Sequence, residues 1–336
     1  MRLLLLGGGH AHAVVLRQLR GVDLTLVSPY PHHTYSGMLP GFIAGHYRLD
    51  DIRIDLAGLA ARAGAKLVIG RVAALEIAQG RVRLADGSTL EYDRASLNLG
   101  SQAAAPAQAL AAKPFENFIQ RWREAKDRVK KVAVVGAGAA GVELAMAVAY
   151  GTTASVTLYS DRPAPARRIA RALERNGVVL RSSTPVTAVE PGPVVIAGES
   201  REPFDLAVWT AGAAPLPWLR ESGLATDAQG FVLVDDRLRS VSHPEVFAAG
   251  DCATLRDAPH PKSGVYAVRH GDVLAHNLRG GELRSYVPQR RALALISCGA
   301  RYAIAEWNGW SAEGAWAWRW KDRIDRRWIA GFSTGV

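Results

Sequence analysis

Two short glycine runs carry the clearest chemistry in this sequence. The first reads Leu3-Leu4-Leu5-Leu6-Gly7-Gly8-Gly9-His10-Ala11-His12. The second reads Val132-Ala133-Val134-Val135-Gly136-Ala137-Gly138-Ala139-Ala140-Gly141-Val142-Glu143. Each follows an apolar strand pattern and opens a helical one, the setting in which Gly-x-Gly marks a dinucleotide site. Glycine lets the backbone approach a pyrophosphate, and a helix N-terminus adds free N–H groups and positive dipole. Two such sites in one chain point to electron transfer between two dinucleotides. The first run departs from the pattern at His12, which replaces the third glycine that normally lets helix and strand pack closely. His10 and His12 either face a ligand or pack locally. The strand-end position that commonly holds an acidic ribose-binding residue is Ser28 in the first unit and Ser160 in the second. Asp161 favours NAD, whereas Ser160 and Arg162 suit a 2′-phosphate, and both readings stay open.

The elements that position these runs follow from periodicity. A strand over 2–6, a helix over 11–19 and a strand over 23–27 make a first βαβ start. Residues 30–47 form an irregular stretch dense in Pro, Gly, His and Tyr, and loops that long are usually functional. Short strands follow, then a buried strand over 94–99 that ends at Gly100-Ser101. Residues 103–114 are rich in Ala and Pro and read as a linker. A charged helix over 115–129 leads into the second unit, whose strand over 206–210 ends at Ala211-Gly212. The chain then returns to strand and turn at Ala248-Ala249-Gly250-Asp251, followed by a helix over 265–278 and a basic, Trp-rich tail. At 336 residues there is room for about two domains. The expectation is an α/β chain of two Rossmann-like domains, the second inserted within a split first. Its parts are 1–110, 111–230, 231–285 and a small C-terminal interface or membrane-contact region over 286–336.

Composition excludes several classes. The net charge of +10 suits anionic ligands, lipid or nucleic acid. Its arginines are spread along the chain, which argues against a nucleic-acid partner. Only Cys252 and Cys298 occur, too isolated for a disulfide framework or zinc site, so a reducing, cytoplasmic setting is expected. No carboxylate or Cys completes a ligand set with His10, His12, His32 and His33, so no metal is expected. The leucine run is shorter than the ~7–15 residues of a signal peptide core. The apolar stretch over 132–151 carries Glu143 and the second fingerprint, so no transmembrane helix is expected.

These motifs together resemble the two-dinucleotide flavoproteins of the pyridine nucleotide-disulfide oxidoreductase superfamily, over nearly the whole chain. Gly7-Gly8-Gly9-His10-Ala11-His12, Tyr35-Ser36-Gly37-Met38-Leu39-Pro40-Gly41 and the tail pattern from Trp318 to Arg327 resemble the flavoprotein module fused to selenide, water dikinase. Among groups of known chemistry, type II NADH:quinone dehydrogenases are the nearest. The resemblance implies FAD at the first site, held by Gly7, Gly9, His10, His12, Ser28, Pro29, Met38, Leu39, Pro40, Val72, Gly100, Ser101, Gly250, Asp251, Val265 and Tyr266. Asp251, in the pattern Ala-x-Gly-Asp, would accept a hydrogen bond from the ribityl chain. The helix that begins near Lys262-Ser263-Gly264-Val265 would aim its N-terminus at the flavin ring and stabilise negative charge there. NADH or NADPH would bind across Gly136, Gly138, Gly141, Ser160, Asp161, Arg162 and Gly212.

The missing thiol pairs remove disulfide-relay chemistry, so electrons should leave the flavin directly. Cys298 is the one thiol left as a redox candidate, beside a structural role. The expected activity is FAD-dependent NAD(P)H dehydrogenation with a quinone or similar small acceptor. Glu143, Lys262 and His270 are the catalytic candidates: Glu143 either positions the nicotinamide or bonds within its domain, and His270 could approach an electron acceptor. The alternatives are a soluble flavin reductase for a small selenium or sulfur species, and a flavin-binding sensor or scaffold without turnover. Six of nine tryptophans fall between Trp307 and Trp328. On a helix, Trp316, Trp320, Ile324 and Trp328 form one stripe beside Arg319, Lys321, Arg323, Arg326 and Arg327. Such a helix suits a membrane surface, through residues 315–332 on the inner face; packing onto the flavin domain or a homodimer partner stays open.

Overall fold

The computed structural model describes residues 1–289 and 293–333. Two parallel five-stranded sheets organise it. The first has the order Val246–Ala248, Arg94–Leu97, Arg2–Leu6, Asp23–Ser28, Lys66–Ile69. The second has the order Leu110–Ala111, Leu206–Trp209, Lys131–Val135, Ser155–Tyr159, Val178–Arg181. All pairings within both sheets are parallel. The second sheet is built from chain lying between two neighbouring strands of the first, so one Rossmann-like unit interrupts the other. Parallel sheets need cover on both faces. Accordingly Leu3 to Leu6 and Val132 to Val134 are all buried, each run at the centre of its sheet.

The two glycine runs sit at the C-terminal ends of the two central strands, Arg2–Leu6 and Lys131–Val135. The chain reverses into the helices His10–Gln18 and Ala139–Gly151. That is the crevice position at which open α/β sheets bind ligands. The stretch 30–47 is more ordered than its composition suggests. It holds a short strand His32–Thr34, a 3-10 turn Ser36–Met38 and a helix Leu39–Ile43 with Pro40 in its first turn, where proline costs no hydrogen bond. The tail begins as an antiparallel sheet, Ala294–Ser297, Ala303–Trp307 and Trp310–Gly314. It ends in the helix Ala315–Ser333.

That last helix packs the opposite way from its apolar stripe. Trp316, Trp320 and Ile324 are each 42% exposed, while Trp318, Lys321, Asp325 and Phe332 face inward. Trp328 is half-buried against Tyr35 and Phe332. No helix among the described residues is long and apolar enough to cross a membrane.

Candidate active site

The first glycine run builds its turn around Asn98. Gly7 takes φ +91°, and a Cβ there would stand 2.5 Å from the Asn98 carbonyl oxygen. A Cβ on Gly9 would meet the Asn98 side-chain oxygen at 2.4 Å. That oxygen accepts from Ala11 N at 3.0 Å and His12 N at 3.3 Å, while the amide donates to Ala249 O at 2.7 Å. One buried asparagine thus caps the first helix and ties it to the Gly250–Asp251 turn, serving donors that would otherwise be orphaned.

The two histidines part company here. The Nδ1 of His12 lies 2.6 Å from Gly7 O and its Nε2 lies 2.9 Å from Ser96 Oγ, in full burial. Burial pushes its pKa down to about 4. Both ring nitrogens are spent inside the domain, so the expected cofactor contact of His12 gives way to local packing. His10 instead places Nδ1 3.2 Å from His33 Nε2 and leaves a buried Nε2 without a partner. Burial, and then the charge of Lys113, push its pKa down to about 4. An unpaired buried nitrogen is costly, so this atom fits a ligand that fills the cleft.

Two other segments named for the first site come close to His10. A Cβ on Gly264 would lie 3.4 Å from Ser36 Oγ and 4.0 Å from His10 Nε2. The turn through Met38, Leu39 and Pro40, all buried, therefore approaches the start of the helix Gly264–Leu278. Ser263 caps that helix without a side-chain bond. Val265 is exposed, and Tyr266 stacks on His260 at 4.2 Å. Asp251 follows Gly250, whose φ is +70°. Its Oδ2 accepts from Lys113 Nζ at 2.6 Å and from Ser101 Oγ at 3.4 Å. Gly100, next to Ser101, turns at φ +72°. Ser28 donates to Tyr30 O at 2.8 Å, Pro29 follows half-buried, and Val72 lies half-buried in an irregular strand.

Two catalytic candidates are occupied elsewhere. His270 is fully buried, its Nδ1 accepts from Gly250 N at 3.0 Å, and its Nε2 lies 3.2 Å from His260 Nε2. Burial pushes its pKa down to about 3. It supports the Asp251 turn from beneath. Lys262 donates to Ala253 O and, at 2.8 Å, to Thr254 Oγ1, with its ammonium 4.2 Å from the Phe231 ring centroid. His270 thus holds the Gly250 turn, and Lys262 holds the strand Ala253–Leu255 that follows it.

In the second run each glycine has a separate steric reason. Gly136 turns at φ +107°, and a Cβ there would lie 2.8 Å from Ala211 N. Gly141 brings the helix so close that a Cβ would lie 1.7 Å from Gly136 O. Gly138 is open, with nothing within 4 Å of its Cβ position. A tight turn, a close helix and one glycine facing free space are the three demands of a pyrophosphate cradle. Gly212 ends the neighbouring strand region at φ +67°. Ser160 donates to Arg162 O at 3.1 Å and accepts from Arg162 N, leaving Asp161 and Arg162 exposed.

Glu143, one turn into that helix, meets the tail. Its Oε1 accepts from Ser297 N at 2.8 Å. Lys321 Nζ donates to Asp325 Oδ2 at 2.6 Å and to Gly37 O, and Tyr35 OH donates to Asp325 Oδ1 at 3.0 Å. Burial raises the Glu143 pKa, with Lys321 opposing and Asp325 reinforcing that shift. A carboxyl whose pKa is raised by burial, near a buried ion pair, is the kind of group that acid–base chemistry recruits. Cys298 is buried, with its pKa pushed up to about 12, and Cys252 is fully buried with its pKa raised by desolvation. Neither is a poised thiolate. Glu116, a carboxylate the motif reading did not use, stands 3.1 Å from His32 Nε2. No group of three or more His, Cys, Asp or Glu among the described residues could hold a metal ion.

The family model for pyridine nucleotide-disulphide oxidoreductases matches residues 1–271. The chain belongs to this family. An NADH dehydrogenase-like protein of Bacillus subtilis is 26% identical over 317 residues, which span 86% of this chain and 87% of that one. Two solved structures share the fold of this oxidoreductase. NDH2 of Plasmodium falciparum, in complex with NADH, superposes with a TM-score of 0.80 at 13% identity, covering 99% of this chain and 97% of that one. The sulfide:quinone oxidoreductase of Aquifex aeolicus also gives 0.80, at 15% identity, covering 99% and 92%.

Proposed function

We propose that this oxidoreductase is an FAD-dependent NAD(P)H dehydrogenase that delivers electrons to a quinone-like acceptor. The observation that carries this reading is the second glycine run, whose three glycines each meet one steric demand of a dinucleotide. Bound FAD would supply the two-electron chemistry. Around it, Gly7, Gly9 and the His10–Gln18 helix present the first cradle, Asp251 offers a carboxylate to a ribityl hydroxyl, and His10 Nε2 offers an unpaired ring nitrogen. Gly136, Gly138 and Gly141 hold the nicotinamide dinucleotide. Glu143 holds the proton that a quinone needs on becoming a quinol. The NADH dehydrogenase-like relative and the likeness to a sulfide:quinone oxidoreductase support the donor and the acceptor class.

Anaerobic mixing of the yellow protein with NADH or NADPH should bleach the oxidised flavin band. A short-chain ubiquinone analogue or menadione should then restore it. No bleaching with either nucleotide overturns the dehydrogenase reading. Bleaching that no quinone reverses overturns the acceptor. For Glu143→Gln, donor bleaching should persist while quinone reoxidation slows by roughly 10²–10⁴-fold, the usual contribution of a general acid. Because the folded protein raises this pKa, the proton it holds adds stability at low pH, and that stability is lost as pH rises through the folded value. The glutamine variant should therefore gain in melting temperature over the parent as the buffer becomes more alkaline.

The tail supplies a membrane-facing surface in this reading. Trp307 and Trp310 form the last pair of a hairpin and are 56% and 55% exposed. With Trp316, Trp320 and Ile324 they leave large apolar groups in water beside exposed Arg319, Arg323 and Arg327. Rings rimmed by cations suit an anionic lipid surface. Deleting the helix would also strip Trp318 and Phe332 from the core, so the cleaner variant is Trp316→Gln/Trp320→Gln/Ile324→Gln. It should bind vesicles containing phosphatidylglycerol at least roughly tenfold more weakly, with unchanged melting temperature. Equal vesicle binding rejects the membrane surface.

A further inference from the structure

Lys113 is a charged residue in the first cleft that the proposed chemistry leaves unused. Its backbone belongs to the second unit. Leu110–Ala111, just before it, pairs with the Leu206–Trp209 strand, and the helix Phe115–Ala125, just after it, buries Phe118, Ile119 and Trp122 in the second core. Its ammonium nevertheless crosses to the first unit. It lies 2.6 Å from Asp251 Oδ2 and 3.3 Å from Ser101 Oγ. Its side chain is 32% exposed and that of Asp251 13%. Ser101 and Asp251 follow the C-terminal ends of two adjacent parallel strands, Arg94–Leu97 and Val246–Ala248, the edge at which a dinucleotide lies. The same charge adds to burial in lowering the pKa of His10.

We propose that Lys113 is the counter-charge for the negative charge that a flavin in this cleft gains on reduction, and so sets its reduction potential. The inference rests on the flavin reading above. With oxidised flavin, Lys113 and Asp251 cancel each other. Hydride transfer would break a C–H bond of NAD(P)H, form an N–H bond on the flavin and release NAD(P)⁺. Two electrons and one proton would then have arrived, leaving the reduced ring one net negative charge. The Lys113 ammonium, shared between Asp251 and Ser101, would then face that new charge. Without Lys113, the Asp251 carboxylate would face the new charge uncompensated, in a partly buried cleft where screening is weak.

The test compares full-length Lys113→Met and Lys113→Arg with the parent, each titrated anaerobically with dithionite against a reference dye. Dithionite keeps the readout independent of the nicotinamide site. For the methionine variant, the equilibrium constant for two-electron reduction should fall at least tenfold, a downward shift of about 30 mV. The arginine variant should restore most of it. Should the methionine variant emerge without flavin, the same quantity is read from dissociation constants. Its loss of affinity must then be at least tenfold greater for reduced than for oxidised FAD. An unchanged potential, or equal losses of affinity, overturns the proposal and leaves Lys113 as a strap between units. A parent protein that binds no FAD at all would instead sink the flavin reading on which the proposal rests.

Discussion

Gly141→Val is expected to keep its flavin and lose its reduction by NADH and NADPH. A single Cβ at this position would sit 1.7 Å from Gly136 O and 2.6 Å from Thr210 Oγ1. The first contact is with backbone, which has no rotamer to give, so the Ala139–Gly151 helix must shift outward. Its N-terminal N–H groups then leave the pyrophosphate position, and Glu143 moves with them. A misplacement of about 1 Å is enough to cost roughly a hundredfold in rate, so NAD(P)H bleaching should slow at least that much. Dithionite should still bleach the flavin fully, because the first cradle stands on a different sheet. Gly138→Ala is the informative partner, since its Cβ would meet no protein atom within 4 Å. Any loss in that variant reports the ligand itself. Bleaching at parental rate in Gly141→Val would remove the second run from the electron path.

The glycine runs were legible because their demands are local: a positive φ, a close helix, a face left bare. Residues whose partners lie far along the chain were not. Asn98 ends an apolar strand pattern, and its polarity there is a signal of backbone service that only the fold completes, across to Ala11 and Ala249. Lys113 sits in an Ala/Pro-rich stretch that reads as linker, and its partner Asp251 is remote in sequence. In sequence His12 suits ligand and packing equally, and only the fold brings Ser96 to its second nitrogen. The tail shows the hardest ambiguity. Period-four tryptophans and scattered charges suggest a helix with its rings inward or on lipid and its charges in water. The ion pair Lys321–Asp325 reverses part of that, because Tyr35 OH and Gly37 O offer it partners in the interior. An i, i+4 pair reads the same in sequence whether solvated or buried, and burial is decided by what the other wall provides.

Asp251→Ala should purify with markedly less flavin. In its turn the Gly250 N–H donates to His270 and the Ala249 carbonyl accepts from Asn98 Nδ2, while the Asp251 carboxylate, held by Lys113 and Ser101, has lone pairs left for a ribityl hydroxyl. A hydrogen bond to a charged group contributes about 1.5–3 kcal/mol, so FAD affinity should weaken roughly ten- to a hundredfold. The substitution also strands Lys113, and that second effect must be told apart from the first. At 32% side-chain exposure the ammonium can recover water, so its isolation should cost the fold at most about 1 kcal/mol. Thermal melting of the flavin-free proteins reads this term alone, while flavin content after gel filtration and fluorescence titration with FAD read both. Asp251→Asn sharpens the separation: it keeps an oxygen acceptor for the ribityl hydroxyl but gives up the charge that holds Lys113. It should fall between parent and alanine in FAD affinity. Stoichiometric flavin in the alanine variant, with parental affinity, would mean that the carboxylate serves Lys113 and not the cofactor.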